Sequence, residues 1–218
     1  MDDTIRAVAR YWDDAAGAFD DEPDHGLREA TVRAAWARRL AGWLPAAPAD
    51  VLDIGCGTGS LALLAAEAGH RVTGVDLAPR MVEAARAKLA AAGLTGRFLE
   101  GDAGRPPTGA ERYDVVLARH VVWTLPDPHA ALRDWTRRLR PGGRLVLVEG
   151  RWRTPSLDVA PYISGAETLP WDGGVTADDL AAAVRPLVAA MHVEPLDGDP
   201  HLWGHAVHDE RYALIAHL

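Results

Sequence analysis

Val51-Leu52-Asp53-Ile54-Gly55-Cys56-Gly57-Thr58-Gly59-Ser60 is the stretch that decides the fold of this 218-residue chain. Four residues of strand character run into a loop with glycine at every second place, and an apolar helical segment follows over 61–68. Glycines at such a junction permit a tight turn and let a ligand press against the backbone. Outward from it the pattern alternates. Strands are predicted over 71–75, 97–100, 113–118 and 144–148, the last entered through Pro141-Gly142-Gly143. Between them, Met81, Val82, Ala85 and Leu89 share one helical face, as do Ala131, Leu132, Trp135 and Leu139. Strands alternating with helices predict an α/β fold: a Rossmann-like, doubly wound, mostly parallel sheet with helices on both faces.

The flanks are read the same way. Residues 1–26 are acidic and turn-rich, and Val32, Trp36, Leu40 and Trp43 then recur at helical spacing until Pro45 and Pro48. Beyond the fifth strand, 151–174 holds three prolines with Trp152, Tyr162 and Trp171, a composition suited to a lid or pocket wall. A helix kinked at Pro186 is predicted over 177–191, then a closing hairpin near 192–194 and 212–216. One domain over 1–218 is expected: an N-terminal helical cap (1–45), a cofactor-binding core (50–150), and a lid loop, helix and hairpin (151–218).

Composition narrows the function classes. Net charge is −8, from 31 acidic and 23 basic residues, which argues against binding nucleic acid through neutralised phosphates. No apolar run approaches the roughly 18–20 residues of a membrane span, and no apolar stretch behind Met1-Asp2-Asp3 reads as a secretory signal. A single cysteine, Cys56, excludes an internal disulfide and a Cys-rich zinc framework. A cytoplasmic protein is expected. Lys88, the one lysine, reads as a solvated surface residue of a helix.

Three details specify the ligand of the glycine loop. Its spacing lacks the extra residue of the dinucleotide fingerprint Gly-x-Gly-x-x-Gly. Asp53, two residues before Gly55, would repel a pyrophosphate and favour an ammonium or sulfonium group. Asp76, 21 residues past Gly55, ends the second strand, where a carboxylate accepts hydrogen bonds from both ribose hydroxyls. A nucleoside joined to a cationic amino acid meets all three, and that is S-adenosyl-L-methionine.

Over about residues 10–150 the chain resembles the small-molecule type of class I S-adenosylmethionine-dependent methyltransferases. Asp53-Ile54-Gly55-Cys56-Gly57-Thr58-Gly59 looks like the family's first motif, and Gly74-Val75-Asp76-Leu77-Ala78-Pro79-Arg80-Met81 like its second. Gly101-Asp102-Ala103, Tyr113-Asp114-Val115-Val116-Leu117-Ala118-Arg119-His120 and Leu139-Arg140-Pro141-Gly142-Gly143 follow in the family's order. The resemblance implies a seven-stranded sheet with an antiparallel last strand. It also implies cofactor binding by Asp53, Gly55, Cys56, Gly57, Gly59, Asp76, Leu77, Met81, Asp102, Ala103 and Arg119, and a cap from which Tyr11 approaches the methionine end.

Methyl transfer to a nitrogen, oxygen or carbon of a small molecule is the expected activity. His120, at the carboxyl end of the fourth strand, is the first candidate to take the acceptor's proton, and His25 the second, because imidazoles titrate near neutral pH. Packing alone is the competing role for each. Arg151 and Arg153 are candidates for a substrate carboxylate, or for the surface. Trp123, Trp152 and Trp171 are candidates for the substrate wall. No metal is expected: His201, His205 and His208 would share a face only on a helix, which Pro200 and Gly204 oppose. A sensor or accessory protein that binds the cofactor without transferring methyl, and a nicotinamide-dependent oxidoreductase, are the alternatives; Asp53 and the glycine spacing disfavour the second.

Overall fold

A computed structural model describes residues 3–46, 48–153, 163 and 166–218. Seven strands form one sheet in the order β3-β2-β1-β4-β5-β7-β6. They are β1 (Asp50–Ile54), β2 (Arg71–Asp76), β3 (Arg97–Glu100), β4 (Tyr113–Arg119), β5 (Leu139–Arg151), β6 (Ala190–Pro195) and β7 (Glu210–His217). β3, β2, β1, β4 and β5 run parallel, and β7 lies antiparallel between β5 and β6. The strand order reverses between β1 and β4, which opens a crevice at their carboxyl ends.

Alternation along the strands builds two apolar layers. Val51, Val115, Leu117, Val146 and Val148 face α3 (Ala30–Trp43), α4 (Ser60–Glu67) and α5 (Pro79–Ala91), where Trp36 and Trp203 are fully buried. Leu52, Ile54, Val116, Leu145 and Leu147 face α6 (Pro128–Arg137) and α7 (Ala177–Val184), with Trp135 and Leu180. Each central indole is satisfied: Trp36 Nε1 donates to Leu202 O at 2.7 Å and Trp135 Nε1 to Ala103 O at 2.8 Å. Truncating either to alanine would cost about 3–5 kcal/mol. α6 starts sharply because Asp127 accepts from Ala130 N at 2.8 Å and Pro128 stands at its first turn.

Several boundaries differ from the sequence reading. The acidic, turn-rich N-terminus is largely helical: α1 (Asp3–Ala15) and a short α2 (Pro23–Gly26) flank a 3₁₀ turn at Phe19–Asp21. The predicted helix over 177–191 stops at Val184; Pro186 lacks the N–H that would continue it, and Arg185–Leu187 form a 3₁₀ turn. Met191 then belongs to β6, paired with Ala216. β5 begins at Leu139, so Pro141-Gly142-Gly143 lies within the strand's bounds rather than ahead of it. Between β6 and β7 lies α8 (Pro200–Trp203), and Gly204 takes φ +77°, so no helical face joins His201, His205 and His208. Tyr162 lies outside the described residues.

Candidate active site

A cavity of about 480 Å³ opens at the carboxyl ends of β1, β2 and β4 and is roofed by α1, the 3₁₀ turn and α2. Its floor is the glycine loop. Gly55 (φ +63°) has no room for a β-carbon, which would lie 2.3 Å from Val121 Cγ2. Gly59 (φ +80°) lets α5 approach, because a β-carbon would fall 2.8 Å from Ala85 Cβ. Gly59 therefore faces α5, whereas Gly55, Cys56 and Gly57 face the cavity.

Three carboxylates hang over this floor. Asp53 is 3% exposed and its Oδ2 is buried without a partner. Desolvation pushes its pKa up to about 7, against the pull of Arg119 and with help from Asp76. Asp76 Oδ2 accepts from Gly57 N at 2.8 Å and Oδ1 from Ala78 N at 2.9 Å. Those bonds fix the carboxyl at the end of β2, and burial raises its pKa despite them. Asp102 Oδ1 accepts from Gly104 N at 2.8 Å. Leu77, Met81 and Ala103 line the apolar space between.

Arg119 ends β4 and lowers its guanidinium over Trp36, 4.9 Å from the ring centroid, while Nη1 donates to Asp24 O at 2.6 Å. Burial lowers its pKa, and no carboxylate among the described residues lies within ion-pair distance. A buried carboxyl with an unsatisfied oxygen and a buried guanidinium without an ion-pair partner among the described residues thus line one cavity. That is a receptor for a zwitterion, and the amino-acid end of S-adenosylmethionine fits it. Asp76 and Asp102 stand at the same cavity, beside Leu77 and Ala103.

The other end is aromatic. Trp12 meets Trp123 edge to face at 6.3 Å, Trp123 meets Trp152 at 5.8 Å, and Trp152 meets His120 at 4.8 Å. Phe19 stacks on His25 at 4.3 Å. His25 Nδ1 and His120 Nε2 are both buried and unpartnered. His120 takes a left-handed backbone, φ +58°, rare for a residue with a β-carbon. Desolvation, then Arg119, holds its imidazole well below the ordinary value. Desolvation also lowers His25, but Asp24 opposes this, with Oδ2 3.8 Å from His25 Nε2. Asp24, His25 and His120 each bring one potential metal-ligating atom within 4.8 Å of the others. The buried Arg119 cation opposes a second cation there, and desolvation, with Arg119 adding to it, lowers both imidazoles, which suits them to proton transfer.

Some sequence candidates stand elsewhere. Tyr11 is 41% exposed and packs edge-on to Trp12, which takes its place at the cavity wall. Trp171 lines a separate open cavity with His129, between α6 and α7. Arg153 pairs with Asp172 at 2.6 Å, Arg151 Nε donates to Arg153 O, and neither lines the cavity. Lys88 is no solvated residue: its Nζ donates to Asp20, Thr58 and Ser60 at 2.7–3.0 Å and ties the cap to the glycine loop. Asp24 and Glu149 were not singled out by sequence; of the two only Glu149, a carboxyl closing the apolar run Leu145-Val146-Leu147-Val148, left a visible signal.

The profile of a family described as a methyltransferase domain matches residues 52–147. The chain is 32% identical over 197 residues to a ubiquinone biosynthesis O-methyltransferase of Cereibacter sphaeroides, covering 83% of this chain and 78% of that protein. It is 42% identical over 117 residues to a demethylmenaquinone methyltransferase of Thermus thermophilus, covering 52% of this chain and about half, 53%, of that one. The crystal structure of the N-methyltransferase NodS from Bradyrhizobium japonicum, solved with S-adenosyl-L-homocysteine, superposes with a TM-score of 0.67 at 16% identity. That superposition covers 95% of this chain and 98% of NodS, and it is a likeness of fold.

Proposed function

The chain belongs to the class I S-adenosylmethionine-dependent methyltransferases that act on small molecules, and on that premise we propose that its acceptor is a hydroxyl on a planar aromatic compound. The observation that carries this reading is the pair of buried, unpartnered imidazole nitrogens on two residues that line an aromatic-walled cavity. Neutral imidazoles suit a hydroxyl that must lose a proton, whereas the adjacent Arg119 disfavours a cationic amine. Both relatives named above are quinone-pathway methyltransferases by name, and one is an O-methyltransferase, which agrees with this choice. The substrate is taken to be free in the cytoplasm. Among the described residues no helix is long and apolar enough to cross a membrane.

Bound S-adenosylmethionine supplies an electrophilic methyl group on a sulfonium. Asp53 and Arg119 would hold its amino-acid end, and Asp76, Leu77, Met81, Asp102 and Ala103 would hold its nucleoside. Trp12, Trp123 and Trp152 orient the acceptor ring and exclude water. As the acceptor oxygen gains the methyl it loses its proton to His25 Nδ1. Asp24 faces Nε2 of the same ring and stabilises the imidazolium that forms, so His25 takes precedence over His120 as base. His120 donates from Nε2 to the acceptor oxygen and holds it in line.

Methyl transfer from labelled cofactor to phenols, primary amines and thiols of similar size tests the reading. Phenols should accept the label; transfer to amines alone would overturn it. With a phenol in hand, His25→Ala should lower kcat by about 10²-fold and leave S-adenosylhomocysteine affinity unchanged. The acidic limb of the pH–rate profile should lie below the ordinary imidazole range, because His25 must be neutral to act and its pKa is lowered.

A further inference from the structure

We propose that Glu149 is a positioning residue for the reaction: its buried carboxyl sets the turn that aims His120 and Trp123 into the cavity. Glu149 lies near the end of β5, fully buried, beside Val148, which pairs with Arg119 of β4, and opposite Tyr212 of β7. Its Oε1 accepts from Val121 N at 2.8 Å and from Val122 N at 3.0 Å, the two amides that follow His120. His120 N donates to Val148 O at 2.9 Å, and Trp123 Nε1 donates back to His120 O at 2.8 Å.

The turn needs this support. His120 sits in the left-handed region, which its β-carbon disfavours, and a non-glycine residue stays there only when its surroundings hold it. Without Glu149, two successive buried amides would lose their acceptor, and the chain would relax towards conformations that satisfy them otherwise. Such relaxation moves the cavity wall. His120 and Trp123 both line the cavity, and Val121 of the same turn fills the space that a β-carbon on Gly55 would need. One carboxyl thereby keeps the acceptor's hydrogen-bond donor in register with the glycine loop. Any acceptor of the same length would serve, so the inference predicts that glutamine replaces glutamate here and that an apolar side chain does not.

This rests on the reading that His120 holds the acceptor oxygen, and the test separates the two. The first readouts need no substrate. In Glu149→Met, exchange at the Val121 and Val122 amides should quicken by about tenfold or more, with protection of Leu145 to Val148 retained. The His120 ring proton resonance, identified by its loss in His120→Ala and shifted by the flanking Trp152 and Trp203 rings, should move towards an unshifted position. Glu149→Gln should keep both wild-type signals, and it keeps the inference testable if the methionine variant fails to fold. Unchanged signals in Glu149→Met, or signals lost in Glu149→Gln, would overturn it.

Kinetics with a phenol from the screen completes a double-mutant cycle. Glu149→Met should lower kcat about tenfold or more in the wild-type background and less than about twofold in His120→Ala. Multiplicative losses would show that Glu149 does not act through His120. Full kcat in His120→Ala alone would instead remove the role given to His120, and the resonance shift would still decide whether Glu149 sets the turn.

Discussion

Asp53 carries a buried oxygen that nothing among the described residues satisfies, and with the role proposed for it cofactor binding becomes a protonic event. Burial raises its pKa to about 7, so the free protein holds a proton there far more readily near neutral pH than an exposed carboxyl does. An ammonium docking beside it favours the carboxylate, so binding should expel that proton, and affinity should fall as pH drops below about 7. Calorimetry with S-adenosylhomocysteine in phosphate and in Tris at pH 7 checks this: the heats should differ in proportion to buffer ionisation. Asp53→Asn should abolish the difference and weaken binding by about 1.5–3 kcal/mol, as for a lost charged hydrogen bond. Heats independent of buffer in the wild type would sink the account. Asp53 and Asp76 were legible in the sequence because motif spacing along one strand–loop–helix unit fixes their place. Asp24 was not, because the sequence does not show that the fold buries its carboxyl against the His25 ring at the cavity.

At the scale of elements, the cap is tied to the core by polar contacts rather than by a large apolar seam. Asp20 accepts from Lys88 Nζ at 3.0 Å and from Thr58 Oγ1, while Asp13 accepts from Arg80 N at 2.8 Å. Both ties join α1 and its following turn to α5 and the glycine loop. Lys88 is about one-fifth exposed, so removing it would strand a partly buried carboxylate. Lys88→Met should therefore speed amide exchange over 18–26 and weaken S-adenosylhomocysteine binding about tenfold. Unchanged exchange there would mean that apolar packing by Phe19 and Trp12 holds the cap closed. The strand–helix alternation from β1 to β5 could be read in advance because each apolar run has one period. Where two periods compete, it could not: the apolar residues over 177–191 suit a helix, yet Pro186 stops it and pairing with β7 claims Met191 for a strand. Lys88 was misread for a related reason, since its helix shows its position but not the acidic cap that folds over it.

Among the described residues the sheet holds three carboxyls whose pKa burial raises, Asp53, Asp76 and Glu149, and they shape stability against pH. Folding raises Asp53 from 3.8 to about 7 and Glu149 from 4.5 to about 8. Between those limits the folded state holds protons that the unfolded chain has released, so each group makes stability fall as pH rises. His25 and His120 act in the opposite sense. Their pKa values are lowered from 6.5, so the unfolded chain binds more protons below that pH and stability rises as pH approaches it. Above about pH 6.5 the histidines are neutral in both states and the carboxyls dominate. Stability should therefore decline from about pH 6.5 towards pH 8, by up to about 1.4 kcal/mol per pH unit for each carboxyl while it is ionised only in the unfolded chain. In a chain of this size that lowers Tm by roughly 2–4 °C per kcal/mol. Two manipulations separate the contributions. Glu149→Gln keeps an acceptor for Val121 and Val122 but cannot ionise, so it should remove the part of the slope that extends to pH 8. Saturation with S-adenosylhomocysteine should remove the Asp53 part, because the ligand's ammonium holds that carboxylate ionised. Thermal unfolding of Glu149→Gln saturated with the ligand should then be nearly flat from pH 6.5 to 8.5, where the free wild type declines. A free wild type whose Tm holds or rises across that interval would show that neither carboxyl is carried protonated in the folded chain.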